Sequence, residues 1–404
     1  MRYILVTHIP FALTPDGAYA VNELWGWDLK AHLDVFSNLH VFAPLDLYDQ
    51  NKFPYTFPKG SIYFHPLPFL KNPIQFFIKL PKILHIFYRY IQEDDIVHST
   101  GTPYPPLGII ANIFCLFKGC KKRIIVFDAD FISDLELRIN SEKRLIRRLF
   151  YFSIKKIYSL IFKFCIKTSP LTFVVGETLY ERYKNYGNVV KIYASWVKEE
   201  DIVPSTYLKE KIEDISKRKE IRLCFAASLI PKKNPICAIE ATKILKERGI
   251  PVTLHILGKG PMKRELKELV EKYDLSNCIT FKDPVPYGKL FYDTLKKYDA
   301  ILIPNLSGEQ PRIIFDALAN GVTVIGSNIK SFSVISNGVN GILCNPRDPR
   351  SFAHAVEKLY KDKKFLEKLI YAGIETVREN TIQSIHKKRM QIINNTFSKN
   401  ERGI

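Results

Sequence analysis

Short apolar runs rich in β-branched residues alternate with amphipathic stretches through the second half of the chain. The runs at 221–227 (IRLCFAA), 252–257 (VTLHIL), 278–281, 299–304 and 322–326 predict strands. The stretches at about 235–248, 261–273, 287–297 and 311–320 carry helical periodicity. Alternation at this spacing predicts a parallel sheet with helices on both faces. Ligands of such sheets bind beyond the carboxyl ends of the strands. Ser228, Gly258, Pro304 and the loop 305–312 all fall at those ends. The first half alternates less regularly. Strands are predicted at 3–9, 39–43, 96–98, 123–127 and 172–175, with helices at about 19–36 and 177–186, which reads as a second, more decorated α/β domain. Residues 195–220 are charged, contain Pro204 and read as the linker. The chain shows neither an internal repeat nor a low-complexity tract.

Composition narrows the class. At 404 residues the chain exceeds one compact core and suggests two domains. With 46% hydrophobic and 13% aromatic residues it is globular rather than disordered. No uncharged apolar stretch reaches the roughly 18 residues of a membrane span. Met1-Arg2 leads directly into a strand-like run, so the expectation is a chain that stays on the cytoplasmic side. Seven cysteines form no C-x-x-C pair, which predicts reduced, buried thiols and neither a disulfide nor a zinc site. The net charge of +19 implies an anionic partner: donor phosphates, an anionic membrane surface or nucleic acid.

The most informative segment is 299–326, DAILIPNLSGEQPRIIFDALANGVTVIG. An apolar run ends at Pro304, a polar loop carries Glu309, a helix opens at Pro311-Arg312, and Asp316 follows in its second turn. Proline suits a first helical turn because its missing N–H would have no partner there. Such a helix end holds anions through free N–H groups and the positive pole. A carboxylate deeper on the helix suits hydroxyls such as those of a ribose.

This segment resembles the donor signature of the retaining glycosyltransferases of family 4. The usual form there is Glu, seven residues, a second Glu, then Ala-x-Ala-x-Gly and a strand. Asp316-Ala317-Leu318-Ala319-Asn320-Gly321 fills the second half, with Asp for Glu; Glu309 lies seven positions before Asp316 instead of eight. Upstream, Ser228-Leu229-Ile230-Pro231-Lys232-Lys233 is similar to the family's Arg-Leu-x-x-x-Lys, Lys233 matching the lysine and Ser228 standing where the arginine is expected. Gly258-Lys259-Gly260-Pro261 matches a Gly-x-Gly-Pro turn of the family. A tight strand-to-helix turn would explain those glycines without any ligand.

The resemblance implies the α/β GT-B fold, two Rossmann-like doubly wound domains facing across a cleft. It implies an acceptor-binding domain over 1–200, a donor domain over 201–378 and a C-terminal helix over 379–404 crossing back to the first. It also implies donor contacts at Gly17, Ser228, Lys233, Gly258, Glu309, Gln310, Arg312 and Asp316, with Lys233, Glu309 and His98 nearest the chemistry. Lys233 and Arg312 would meet the diphosphate, Asp316 the ribose and Glu309 the sugar. Gly17 lies in Thr14-Pro15-Asp16-Gly17 after the first strand, where a plain turn is the competing reading; His98 in DDIVHSTG is read at a strand end.

Asp128-Ala129-Asp130 has the form of a manganese motif in the other large glycosyltransferase fold, GT-A. The second-half motifs belong to metal-independent enzymes, so no metal or other cofactor is expected. Residues 143–167, KRLIRRLFYFSIKKIYSLIFKFCIK, hold eight basic residues and no acid, the composition of a helix drawn to anionic lipid. PIQFFIKLPKILHIFYRYI at 73–91 is a second such stretch. No nucleic-acid reading element is present. The expectation is therefore a retaining transferase, peripheral on the inner face of the plasma membrane. It would take a UDP- or GDP-sugar and a lipid-linked or saccharide acceptor for surface polysaccharide or lipopolysaccharide synthesis. The alternatives are a degenerate nucleotide-sugar-binding protein without turnover and a metal-dependent transferase using the Asp-Ala-Asp motif.

Overall fold

The structure is a computed structural model that describes residues 2–306 and 308–400, with side chains through 398. The end of the segment expected over 379–404 therefore lies outside the described residues from 401 on. The chain divides into two compact units, Met1–Ala194 with Ile385–Ile404, and Ser195–Ser384.

The first unit is built on a parallel sheet of seven strands. Their spatial order is Val189–Ile192, Leu171–Val175, Arg123–Phe127, Ile96–Thr100, Tyr3–Val6, Leu39–Pro44 and Tyr63–Leu67. The order reverses between Tyr3–Val6 and Ile96–Thr100, the switch point of a doubly wound sheet. Strand alternation sends neighbouring residues to opposite faces. Leu5 packs with Val41, Trp25 and Leu29 on one face, joined by Ile393 and Phe397 of the helix Ile382–Asn400. Ile4 packs with Phe42, Ile83 and Phe87 on the other.

The second unit has six parallel strands in the order Ile279–Lys282, Val252–Leu257, Ile221–Ala226, Ala300–Ile303, Thr323–Ser327, Ile342–Cys344. Both units are thus Rossmann-like α/β folds with buried parallel sheets, as the alternation of runs implied. The five strands expected there fall within two residues of their expected ends, because strands buried on both faces read as continuous apolar runs; the edge strand Ile342–Cys344 was not expected.

Three readings need correction. The stretch 19–36 is not one helix: a short strand Tyr19–Val21 precedes the helix Glu23–Leu33, whose first turn is capped by the Asn22 carboxamide at 2.9 Å from the Trp25 N–H. The segment 195–220 is not a bare linker, since it folds into the helix Ser205–Lys217 with Leu208 and Ile215 buried. The stretches 73–90 and 107–117 are helices that the first-half pattern did not mark. No helix among the described residues is long and apolar enough to cross a membrane. All seven cysteines are unpaired, and only Cys278 is not fully buried.

Candidate functional site

At the carboxyl ends of the second unit's sheet, two loops are sewn together through their backbones. The Leu229 N–H donates to the Lys259 carbonyl at 2.9 Å, and the Met262 N–H to the Leu229 carbonyl at 3.2 Å. Glycine is required at both ends of this seam. A Cβ on Gly258 would lie 2.1 Å from the Ala227 carbonyl oxygen, and one on Gly260 2.4 Å from that of Leu229. Gly258 therefore shapes the site through its backbone, while Ser228 stands exposed at the loop's crest.

The turn Pro231–Lys233 follows, and the chain leaves it through Asn234 in the left-handed region at φ 52°. The Lys232 carbonyl accepts from the Leu306 N–H at 3.0 Å, which ties this turn to the loop after the strand Ala300–Ile303. The Lys232 ammonium lies 3.7 Å from the exposed Glu309 carboxylate. Lys233 is half-buried in the same turn. Gln310 is buried, whereas Arg312 is exposed with its guanidinium 4.8 Å from the ring centre of Trp196. Planar guanidinium groups stack well on indole, so Trp196 fixes the direction of this charge.

The helix expected from 311 begins two residues later and spans only Ile313–Ala319. Two turns make a weak macrodipole, so anion attraction here rests on Lys232, Lys233 and Arg312 more than on the helix end. The far end of this helix is held by the supposed linker. The Val203 N–H donates to the Ala319 carbonyl at 3.0 Å, and the buried Lys211 ammonium to the carbonyls of Tyr298 at 2.8 Å and Asn320 at 3.3 Å. Burial pulls Lys211 down to about 8.

Asp316 is only 4% exposed, and the Tyr287 phenol donates to its Oδ1 at 2.5 Å. The Tyr292 phenol donates in turn to Tyr287 at 3.0 Å. Burial pushes Asp316 up to about 7; the Tyr287 bond opposes this, and Asp201 nearby adds to it. Burial raises Asp201 as well, against the Lys198 N–H that donates to its carboxylate at 2.9 Å. A ribose contact by Asp316 thus competes with a phenol already in place. Tyr287, Tyr292, Asp201 and Trp196 escaped sequence reasoning, because each meets the site from a distant segment; the signal available was a lone aromatic just after a strand end, as in PVPYGKL. Asn305, 1% exposed at the end of a central strand, has a buried Nδ2 with no partner among the described residues.

The first-unit candidates sit differently from their expected places. His98 is the third of five residues in its strand, not its end; it is buried, and its Nδ1 lies 2.7 Å from the Tyr3 hydroxyl. Burial holds it well below the ordinary histidine range. Gly17, at φ 77°, closes a hairpin turn between Ala12–Leu13 and Tyr19–Val21. Asp130 caps the helix Phe131–Ser141, accepting from the Ser133 N–H and hydroxyl at 3.0 and 2.7 Å, and pairs with Arg182 at 3.3 Å. The strand ends at the switch point instead carry His8, whose Nδ1 is 3.1 Å from the Thr102 hydroxyl; burial lowers its pKa and Asp128 opposes this in part.

Comparison with known proteins adds a domain match to this geometry. Residues 209–376 match the family model described as Glycosyl transferases group 1, a domain of the GT-B type. The chain is 26% identical over 178 residues to a putative colanic acid biosynthesis glycosyltransferase, WcaL of Salmonella typhimurium, covering 42% of this chain and 44% of that one. It is 28% identical over 162 residues to the UDP-Gal:alpha-D-GlcNAc-diphosphoundecaprenol alpha-1,3-galactosyltransferase of Escherichia coli, covering 39% and 40%. The matched stretch thus spans less than half the length of these curated relatives. Among solved structures, HepE of Anabaena in complex with UDP is similar with a TM-score of 0.64 at 11% identity, covering 98% of this chain and all of that one. That likeness is one of fold.

Proposed function

We propose that this chain is a retaining glycosyltransferase of family 4. It would move a sugar from a UDP- or GDP-sugar to a lipid-linked acceptor in the synthesis of a surface polysaccharide. The observation that carries the reading is the gathering of Lys232, Lys233 and Arg312 beyond the carboxyl ends of the second unit's sheet, next to the glycine seam that joins the two loops there. The group 1 domain match covers the same segments. Relatives named for colanic acid synthesis and for a diphosphoundecaprenol acceptor support the polysaccharide and lipid parts.

In this reaction the bond from the anomeric carbon to the diphosphate oxygen breaks, and the electron pair stays on that oxygen. An acceptor oxygen forms the new bond and passes its proton to the departing diphosphate. Negative charge therefore grows on the leaving diphosphate, and fixed cations that meet it there lower the barrier. Lys233 and Arg312 would carry that work, with Lys232 or Arg312 replacing the arginine absent at Ser228. Glu309 would orient the sugar once nucleotide phosphate draws Lys232 from it. Asp316 would act on the ribose with Tyr287, either by exchanging the phenol for a ribose hydroxyl or through it. No metal is required by this scheme, and Asp130 is engaged by its helix cap and Arg182.

Transfer assays with several nucleotide sugars and a bacterial lipid extract test the reading. Wild type should transfer, Lys233→Ala and Arg312→Ala should each lose most of the rate, and EDTA should leave it unchanged. Equal turnover in all three proteins would overturn the site; no turnover with nucleotide bound would favour a binding protein.

A further inference from the structure

The first unit holds a cavity of about 700 Å³ at the edge of its sheet. It lies between the ends of the strands Leu39–Pro44 and Tyr63–Leu67 and the helix Pro73–Tyr90. Its lining has two chemistries. Leu45, Leu67 and Ile86 give an apolar wall, while Lys82, His85 and Arg89 rise from successive turns of the helix. No carboxylate lines it. None of these three residues forms an ion pair among the described residues, and all three are exposed. Arg89 lies over the Tyr90 ring at 5.4 Å, but basic groups crowded on one helix face without an acidic partner repel one another.

The same face of the helix continues the pattern. At 100° per residue, positions 74, 78, 82, 85 and 89 fall within about 80° of one another. The strip reads Ile-Ile-Lys-His-Arg, apolar in its first turns and basic in its last. Ile74 and Ile78 are 71% and 72% exposed, and an amphipathic helix in a soluble setting ordinarily turns such residues inward. A hydrocarbon track leading to a cluster of cations matches one kind of ligand, a phosphate on an alkyl chain. The volume lies within the range that holds a ligand of a few tens of heavy atoms.

We propose that this cavity seats the phosphate or diphosphate headgroup of a single lipid, the carrier of the acceptor sugar. Lys82, His85 and Arg89 grip the phosphate, and the strip of Ile74 and Ile78 follows the first part of the chain. This rests on the reading of a lipid-linked acceptor and adds where that acceptor is recognised.

The test uses the full chain with farnesyl diphosphate as a water-soluble probe, titrated in excess UDP so that the donor site is filled. Inorganic pyrophosphate and farnesol serve as separate arms. Farnesyl diphosphate should bind at least about tenfold tighter than either half-molecule, roughly the gain a second recognised portion provides. The double variant Lys82→Ala/Arg89→Ala should lose about tenfold or more, and Ile74→Ser/Ile78→Ser should weaken farnesyl diphosphate but not pyrophosphate. These side chains are exposed, and matched thermal unfolding confirms that the variants fold. Unchanged affinity in both variants, displacement by UDP, or pyrophosphate binding as tightly as the prenyl compound would each overturn the proposal. Wild type that binds the probe yet transfers no sugar leaves the cavity standing and removes the transferase reading. Transfer to the lipid extract that both double variants perform as well as wild type does the reverse.

Discussion

Tyr287 and Asp316 are 29 positions apart in sequence, yet the phenol donates to the carboxylate at 2.5 Å in the interior of the second unit. Asp316 is raised by burial, to about 7. The consequence for stability has a definite sign. Between about pH 4, the unfolded value, and about pH 7 the folded chain holds a proton that the unfolded chain has lost, so this group makes stability fall as pH rises across that window. Asp316→Asn keeps the shape and removes the titration. Urea unfolding at pH 5 and pH 7.5 should show a smaller loss between the two in Asp316→Asn than in wild type. Tyr287→Phe should cost about 1–3 kcal/mol at pH 7.5, because it leaves the buried Asp316 carboxyl without the phenol that meets it. An unchanged midpoint would mean the bond contributes nothing.

Arg312 stacks on Trp196 at 4.8 Å, which sets the direction of an otherwise mobile charge. Arg312→Lys keeps the charge but loses the planar fork and the stacking. Nucleotide-diphosphate binding, measured by calorimetry, should weaken about tenfold in Arg312→Lys and in Trp196→Leu, and more in Arg312→Ala, because a charge-assisted contact is worth about 1.5–3 kcal/mol. Binding in Trp196→Leu equal to wild type would show that the indole only fills space.

A buried knot in the first unit predicts acid sensitivity. His386 Nε2 lies 3.1 Å from Asp28 Oδ1, and the His32 and His386 rings meet edge to face at 4.4 Å. Tyr3, His98 and Arg389 complete the surroundings. Burial, with His386 adding to it, drops His32 to about 4. Neutral His32 is thus required by the fold, and stability falls as pH drops from about 6.5 towards 4, by on the order of 3 kcal/mol over about 2.5 units. Asp28 is held well below the usual carboxylate range by the histidines and Arg389 despite its burial, so its share is present above about pH 4 and is lost only in stronger acid. Melting temperatures from pH 7.5 to 4.5 should fall steeply in wild type and less so in His32→Asn.

Legibility followed the physics of each element. The second-half strands stood out because a parallel strand covered on both faces needs apolar residues throughout. The helix Leu107–Phe117, LGIIANIFCLF, was invisible for the mirror reason: it is apolar nearly all round and offers no 3.6-residue period. The segment 195–220 looked like a linker by charge, yet its Lys211 is buried because three carbonyls surround it, a fact no local pattern carries. At the site, the glycines and lysines that shape backbone and charge were readable from motif order. Tyr287, Trp196 and Asp201 were not, since each acts across a long loop of chain. His98 misled because a histidine in a strand looks the same whether it faces a crevice or Tyr3.

The helix Leu145–Thr168 supplies the last prediction. Only Phe162, Cys165 and Ile166 of its 24 residues are buried, while Ile146 and Leu160 stand 83% and 69% exposed. Leu145, Leu149 and Phe150 are also exposed, beside Arg144, Arg147 and Arg148. Apolar residues exposed beside arginines that form no ion pair among the described residues suit a bilayer interface, where each cation near an anionic surface contributes about 1 kcal/mol. Vesicles containing one third phosphatidylglycerol should sediment the protein at 0.1 M salt, and purely zwitterionic vesicles should not. Raising salt to 0.5 M should release most of it, because the screening length then falls to a few ångströms. Ile146→Glu/Leu149→Glu should abolish sedimentation without changing the melting temperature, since neither side chain is buried. Binding that persists in this double variant would place the membrane contact elsewhere on the chain, with the exposed Ile74, Phe77 and Ile78 as the next segment to substitute.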